Sequence, residues 1–227
     1  MRMLGVESVN RPSTWGAGVI HMPPPAPAPA PAPVPPAPAP PMTIAEGLAA
    51  MQLGGMGRAL FAATTDTTIV VTEATSFADY SNLTVRVNPK VLAGGYSVPG
   101  VLAHELGHAH MHKSGMLTEL RKLPFNLGTI GNELVSEGIA SAIAQESGFE
   151  RGGSAVTRKD GTLRSMRGAL DEILATDFYV KYYKIDLTKM TEELRVDVAA
   201  KLLAVTAQAI TALGGTVPVE YATPGPR

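Results

Sequence analysis

Residues 98–113 read Val98-Pro99-Gly100-Val101-Leu102-Ala103-His104-Glu105-Leu106-Gly107-His108-Ala109-His110-Met111-His112-Lys113. Pro99 suits the first turn of a helix, where its fixed φ fits and its missing N–H is not needed. Gly115 supplies the stop. The stretch is therefore predicted as a helix running from Pro99 to about Lys113. On such a helix His104 and His108 lie one turn apart on one face, so both imidazoles can reach one metal ion. Glu105, one step along, points to the edge of that face. There it can touch a water beside the metal without ligating the metal itself. At about 100° per residue, Val98, Leu102, Leu106 and Ala109 fall on the opposite side, which is predicted to face the core. Gly107 leaves little bulk beside the site.

Four of the five histidines lie within 104–112. His112 continues the four-residue series but lies about 12 Å along the axis from His104, at ~1.5 Å per residue. His110 points away from the paired face. Neither is assigned to the metal.

The composition narrows the chemistry. The 227 residues contain no cysteine, which removes disulfide frameworks, thiolate metal sites and cysteine nucleophiles. Any metal is then held by His, Asp or Glu. The formal net charge is −1, so there is no basic field for nucleic acid and none is expected as a partner. No apolar run reaches the ~18 residues of a membrane span. Glu7, Asn10, Arg11 and Pro12 interrupt what would be the apolar centre of a secretion signal. The expectation is a chain that is soluble and cytoplasmic when made, with incorporation into a particle or export by a dedicated machine as further options.

Around the helix, four segments are expected. Residues 23–41, PPPAPAPAPAPVPPAPAPP, hold twelve of the nineteen prolines. They form neither helix nor sheet but an extended spacer of roughly 60 Å, at ~3.1 Å per residue. Residues 1–22 are too few to fold alone. With Trp15, Val19, Ile20 and Met22 they read as a short docking peptide for a protein partner, or as a tail. The globular domain is expected over 42–213, with 214–227 a loose tail. Within it Thr43 and Glu46 form a capping-box pattern opening a helix of about 10–18 residues. Thr68–Thr72 and Leu83–Val87 are β-branched runs of a small sheet of two or three strands, with Asp79, Ser81 and Asn82 as turn residues. Further helices are expected over 131–145, 163–184 and 187–213. The fold class is thus α+β, a compact domain with a small sheet and about five helices.

The pentapeptide His104-Glu105-Leu106-Gly107-His108, together with Asn132-Glu133-Leu134-Val135-Ser136-Glu137-Gly138-Ile139-Ala140, resembles the gluzincins. These are the zincin metallopeptidases whose third zinc ligand is a glutamate on a second helix. The metzincin branch needs a histidine where this chain has Ser114, and does not fit. The resemblance implies a zincin-like fold and a zinc ion on His104, His108 and a glutamate. Glu137-Gly138-Ile139-Ala140 resembles the aminopeptidase pattern, in which Glu137 is the ligand and Gly138 admits the motif helix closely. Asn132-Glu133 with Glu137 resembles the thermolysin pattern, in which Glu133 is the ligand and the second acid braces a histidine. Glu137 is favoured, with Glu133 as the alternative ligand or an outer partner.

The resemblance further implies hydrolysis of peptide or protein substrates, with Glu105 as general base. Tyr179, Tyr182 and Tyr183 are candidates to stabilise an oxyanion. The alternative is a zincin-fold structural or assembly module, weakly catalytic or inactive, tethered through the N-terminal arm.

Overall fold

A computed structural model describes residues 41–223 of the chain. The docking peptide and spacer read from 1–22 and 23–41, and residues 224–227, lie outside the described residues, apart from Pro41 itself.

The first helices, α1 (Ile44–Met51) and α2 (Gly55–Ala63), replace the single helix expected there. Thr43 caps α1 as predicted, its hydroxyl accepting from Glu46 N while Glu46 accepts from Thr43 N at 2.8 Å. The break follows from Gly54-Gly55, which are poor helix formers, and from a cap brought by a distant segment. Glu146 accepts from Gly55 N and Met56 N at 2.9 and 2.8 Å, so the first N–H groups of α2 find a partner 90 residues away. A side chain at Gly57 would lie 1.8 Å from the Met51 carbonyl oxygen, so only glycine allows this corner.

Strands β1 (Thr68–Val71), β2 (Ala78–Ser81) and β3 (Thr84–Val87) form one mixed sheet in the order β1-β3-β2, with β1 parallel and β2 antiparallel to β3. Central β3 alternates as a half-buried strand should, with Val85 and Val87 fully buried. The expected turn shrinks to Asn82 and Leu83, both at positive φ, 49° and 58°. Asp79 and Ser81 belong to strand β2 instead. Polar residues are tolerated there because β2 is an edge, and Arg86 on β3 bonds both, at 3.1 Å to Asp79 and 2.6 Å to Ser81.

After the short α3 (Pro89–Leu92) comes α4 (Val98–Lys113), the predicted motif helix, with Ser97 capping it by accepting from Gly100 N. Gly115 follows at φ 77°. The amphipathic expectation is too modest. From Val98 to Met111 every residue except His104 is buried, because α1, α2, β2 and the later helices surround α4. The short α5 (Leu117–Leu120) leads to α6 (Leu127–Ser147), which begins four residues before the expected start and ends at left-handed Gly148.

α4 and α6 form the centre of the domain. Leu102, Leu106, Ile130, Leu134, Ile139 and Ile143 are fully or almost fully buried between and around them, each worth ~2 kcal/mol of transfer free energy. At Gly107 an added Cβ would stand 3.4 Å from Ser136 Cα, so the two backbones approach closely beside the histidines. Gly138 does not serve this contact. It faces Thr206 and Met166, where a Cβ would meet Thr206 at 2.8 Å.

The predicted long helix over 163–184 is two, α7 (Met166–Leu174) and α8 (Asp177–Tyr182), parted at Thr176, whose hydroxyl folds back onto Glu172 O. A 3₁₀ turn (Leu187–Lys189) precedes α9 (Glu192–Ala212), which packs on α6 and α7. The last segment is no loose tail as far as Thr223: α10 (Val219–Ala222) buries Tyr221, whose hydroxyl donates to Gly138 O at 2.8 Å. The described residues thus hold ten α-helices, twice the expected number, around a small sheet: an α+β arrangement. Among them no helix is long and apolar enough to cross a membrane.

Candidate metal centre

α4 and α6 bring three side chains to one point. His104 Nε2 and His108 Nε2 are 3.1 Å apart. A carboxylate oxygen of Glu133, on α6, stands 3.3 Å from the first and 3.7 Å from the second. Among the described residues this is the one group of three or more His, Asp or Glu side chains whose ligand atoms fall within 4.8 Å of one another. The spacing suits a small cation. Metal–nitrogen bonds of ~2.0–2.1 Å in tetrahedral geometry set ligand atoms about 3.3–3.4 Å apart, close to the three distances seen.

The outer ring nitrogens are also held. His108 Nδ1 is 2.8 Å from the buried hydroxyl of Ser136. His104 Nδ1 faces Glu137 Oε1 at 3.3 Å, and the other Glu137 oxygen pairs with Arg151 at 2.8 Å. With Nε2 directed at a metal, Nδ1 carries the proton, which on His108 can be donated to the Ser136 hydroxyl and on His104 faces the Glu137 carboxylate. Such partners fix the ring and its tautomer. The geometry favours the alternative left open by the sequence: Glu133 stands beside both inner nitrogens, while Glu137 lies behind His104. One helical turn separates the two acids, but only Glu133 lies within reach of His108.

Ser136 and Arg151 were not singled out by sequence. Ser136 carries a weak signal, since it lies three residues after Glu133 on the same helix face. Arg151 carries none, because it comes from the loop after α6. His110 and His112 are outside the group: His110 is buried elsewhere on α4, and His112 Nδ1 meets the Tyr80 hydroxyl at 2.9 Å.

The charges form an interlocked set. Burial resists ionisation of Glu133, but hydrogen bonds and charge from His104 and His108 hold its carboxyl well below the usual range. Glu137 is likewise depressed: burial opposes it, and Arg151 and His104 outweigh burial. Burial disfavours charge on His104, yet Glu137, Glu133 and Glu105 raise its pKa above the ordinary histidine value. Glu105, 5 % exposed, goes the other way: burial pushes its carboxyl up, the histidines pull it back, and Glu133 and Asp79 add to the rise. A carboxyl raised in this way is a better proton acceptor than an ordinary surface glutamate.

His104, Glu105, Glu133 and Glu137 form part of the wall of an open cleft of about 560 Å³. Phe77, Ala78, Tyr96, Arg151 to Ala155, Ile173, Tyr179 and Tyr183 also line it. Of the three candidate tyrosines, Tyr179 and Tyr183 line the cleft, and burial raises the pKa of both phenols, the nearby glutamates adding to the rise. Tyr182 is outside it, 67 % exposed.

The chain matches no protein-family model, and comparison with curated proteins and with solved structures finds no match.

Proposed function

We propose that the chain is a zinc-dependent peptidase, with His104, His108 and Glu133 as the metal ligands and Glu105 as the general base. The single observation that carries this reading is the convergence of His104 Nε2, His108 Nε2 and Glu133 beside a buried glutamate in an open cleft. Two imidazoles and one carboxylate suit zinc among the common divalent ions. Three protein ligands leave a fourth position free, as catalytic rather than structural zinc sites do. A zinc ion held there supplies Lewis acidity toward a carbonyl and toward water.

The chain's own groups do the rest. Glu105 accepts a proton from the attacking water and returns it to the departing amine, so its raised pKa serves both steps. Glu137 and Arg151 keep His104 oriented, and Ser136 does so for His108. Tyr179 and Tyr183 retain their protons, the form that donates to a developing oxyanion. The free edge of β2 runs beside the cleft, with Ala78 in its wall, and offers backbone groups to an extended peptide. A structural metal site would have no use for Glu105, which is why catalysis is preferred over a purely structural role.

The test is cleavage of a peptide library by zinc-loaded protein, with Glu105→Gln as control. Cleavage by the wild type, lost in the variant and in chelator, is the expected result. Bound zinc with no cleavage of any peptide contradicts the reading.

A further inference from the structure

The aromatic residues are distributed unevenly. Six of the twelve, Phe77, Tyr96, Phe178, Tyr179, Tyr182 and Tyr183, stand in or beside the cleft. On the sheet side Phe77 meets Tyr96 edge to face at 4.9 Å, and Tyr96 remains 51 % exposed. α8 carries Phe178, Tyr179 and Tyr182, and Tyr183 follows as its C-cap. Tyr179 and Tyr183 stack at 6.2 Å, nearly parallel, and line the cleft. Phe178 and Tyr182 stack at 5.7 Å on the outside and are 64 % and 67 % exposed.

α8 buries none of its six residues. Tyr179 and Tyr183 are half-buried against the core, but Phe178 and Tyr182 leave much apolar surface in water and are not core of the fold. Large aromatics held this way are the usual anchors of a bound partner. The surface is continuous with the centre that holds His104 and Glu105, so its occupant is whatever that centre acts on. The cleft floor is acidic through Glu105, Glu133 and Glu137, and the nearby Arg151 is already paired with Glu137. An acidic side chain finds no free partner there, whereas a flat apolar one fills the space these aromatics line.

We propose that this cleft selects extended peptide segments with an aromatic or large aliphatic side chain next to the scissile bond. The Phe77–Tyr96 and Tyr179–Tyr183 pairs line the pocket, and Phe178 and Tyr182 extend the contact outward. The proposal takes the nature of the ligand from the peptidase reading above.

The experiment uses full-length, zinc-loaded protein carrying Glu105→Gln, which retains the cleft. Blocked hexapeptides that differ at one central position (Phe, Leu, Ala, Asp or Lys) are titrated by fluorescence anisotropy. Phe and Leu peptides are expected to bind about tenfold tighter than Ala, as burial of one large apolar side chain gives. Adding Tyr179→Ser, or Phe178→Ser with Tyr182→Ser at exposed positions, should shrink that ratio to within about twofold. Equal binding of all five peptides, no binding of any, or selectivity untouched by either set of substitutions overturns the proposal. The two readings fail separately. Wild-type cleavage that ignores the central residue overturns the aromatic selection and leaves the peptidase standing. Selective binding without wild-type cleavage overturns the peptidase and leaves the selection standing.

Discussion

The floor and the rim of the cleft are built in opposite ways. The floor consists of α4 and α6, two long helices buried on nearly every side and drawn together where Gly107 meets Ser136. Its functional groups each have an assigned neighbour: Ser136 for His108, Glu137 for His104, Arg151 for Glu137. The rim from Phe149 to Met190 is made of loops and short helices, and α8 within it buries nothing. The difference separates two tasks. Chemistry needs groups fixed to a fraction of an ångström, which close-packed helices provide. Selection of a side chain needs exposed surface, which a helix outside the core can present without disturbing the fold.

This division predicts that floor substitutions remove chemistry or metal, while substitutions of the exposed rim aromatics Phe178 and Tyr182 change only which peptide is preferred. The largest effect belongs to Glu105→Gln, expected to lower kcat by about 10²–10⁴ with bound zinc unchanged. Steady-state kinetics beside metal analysis reads both, and loss of zinc in this variant would break the distinction between ligand and base. Next come the two acids of α6. Glu133→Gln should weaken zinc by more than about 100-fold, and Glu137→Gln by about 10–100-fold, the usual cost of an outer partner. Competition with a chromophoric chelator measures both, and the reverse order would restore the assignment drawn from sequence.

Smaller still is the pH effect. Proton and metal compete for His104, whose metal-free pKa is raised above the ordinary 6.5. Apparent zinc affinity should therefore fall as pH drops, beginning above pH 6.5, by about tenfold per unit for one proton. A chelator titration repeated across pH, showing no decline until well below 6.5, would contradict the interlocked charges at the floor. The metal-free fold responds with the opposite sign: protonated His104 stabilises it below 6.5, and that contribution disappears as pH rises through its raised pKa. The smallest effect serves as a control. Glu146→Ala removes the cap from α2 at the far end of α6 and should cost about 1 kcal/mol in chemical denaturation, without altering zinc affinity.

Legibility in the sequence followed the same division. The motif helix, its start at Pro99, its glycine stop and the pairing of His104 with His108 are local matters of spacing, and residues within one turn suffice to read them. β1 and β3 were visible through their β-branched runs. What escaped reading depends on partners far along the chain. α2 breaks from α1 partly because Glu146 reaches it from α6. β2 forms because Arg86 and its edge position accommodate Asp79 and Ser81. Tyr221 is buried only because α6 offers the Gly138 carbonyl. Choosing between Glu133 and Glu137 required the crossing of α4 and α6 in space, since both lie on one face of one helix. No family or structural match was there to supply it.

The central claim is that His104, His108 and Glu133 meet on one metal ion. Its most direct measurement is zinc stoichiometry and affinity for the full-length chain beside His104→Ala, Glu133→Gln and Glu137→Gln. One zinc per chain is predicted, abolished by His104→Ala, nearly abolished by Glu133→Gln and only weakened by Glu137→Gln. A chain that binds no zinc, or holds it equally well without His104 or Glu133, would contradict the account.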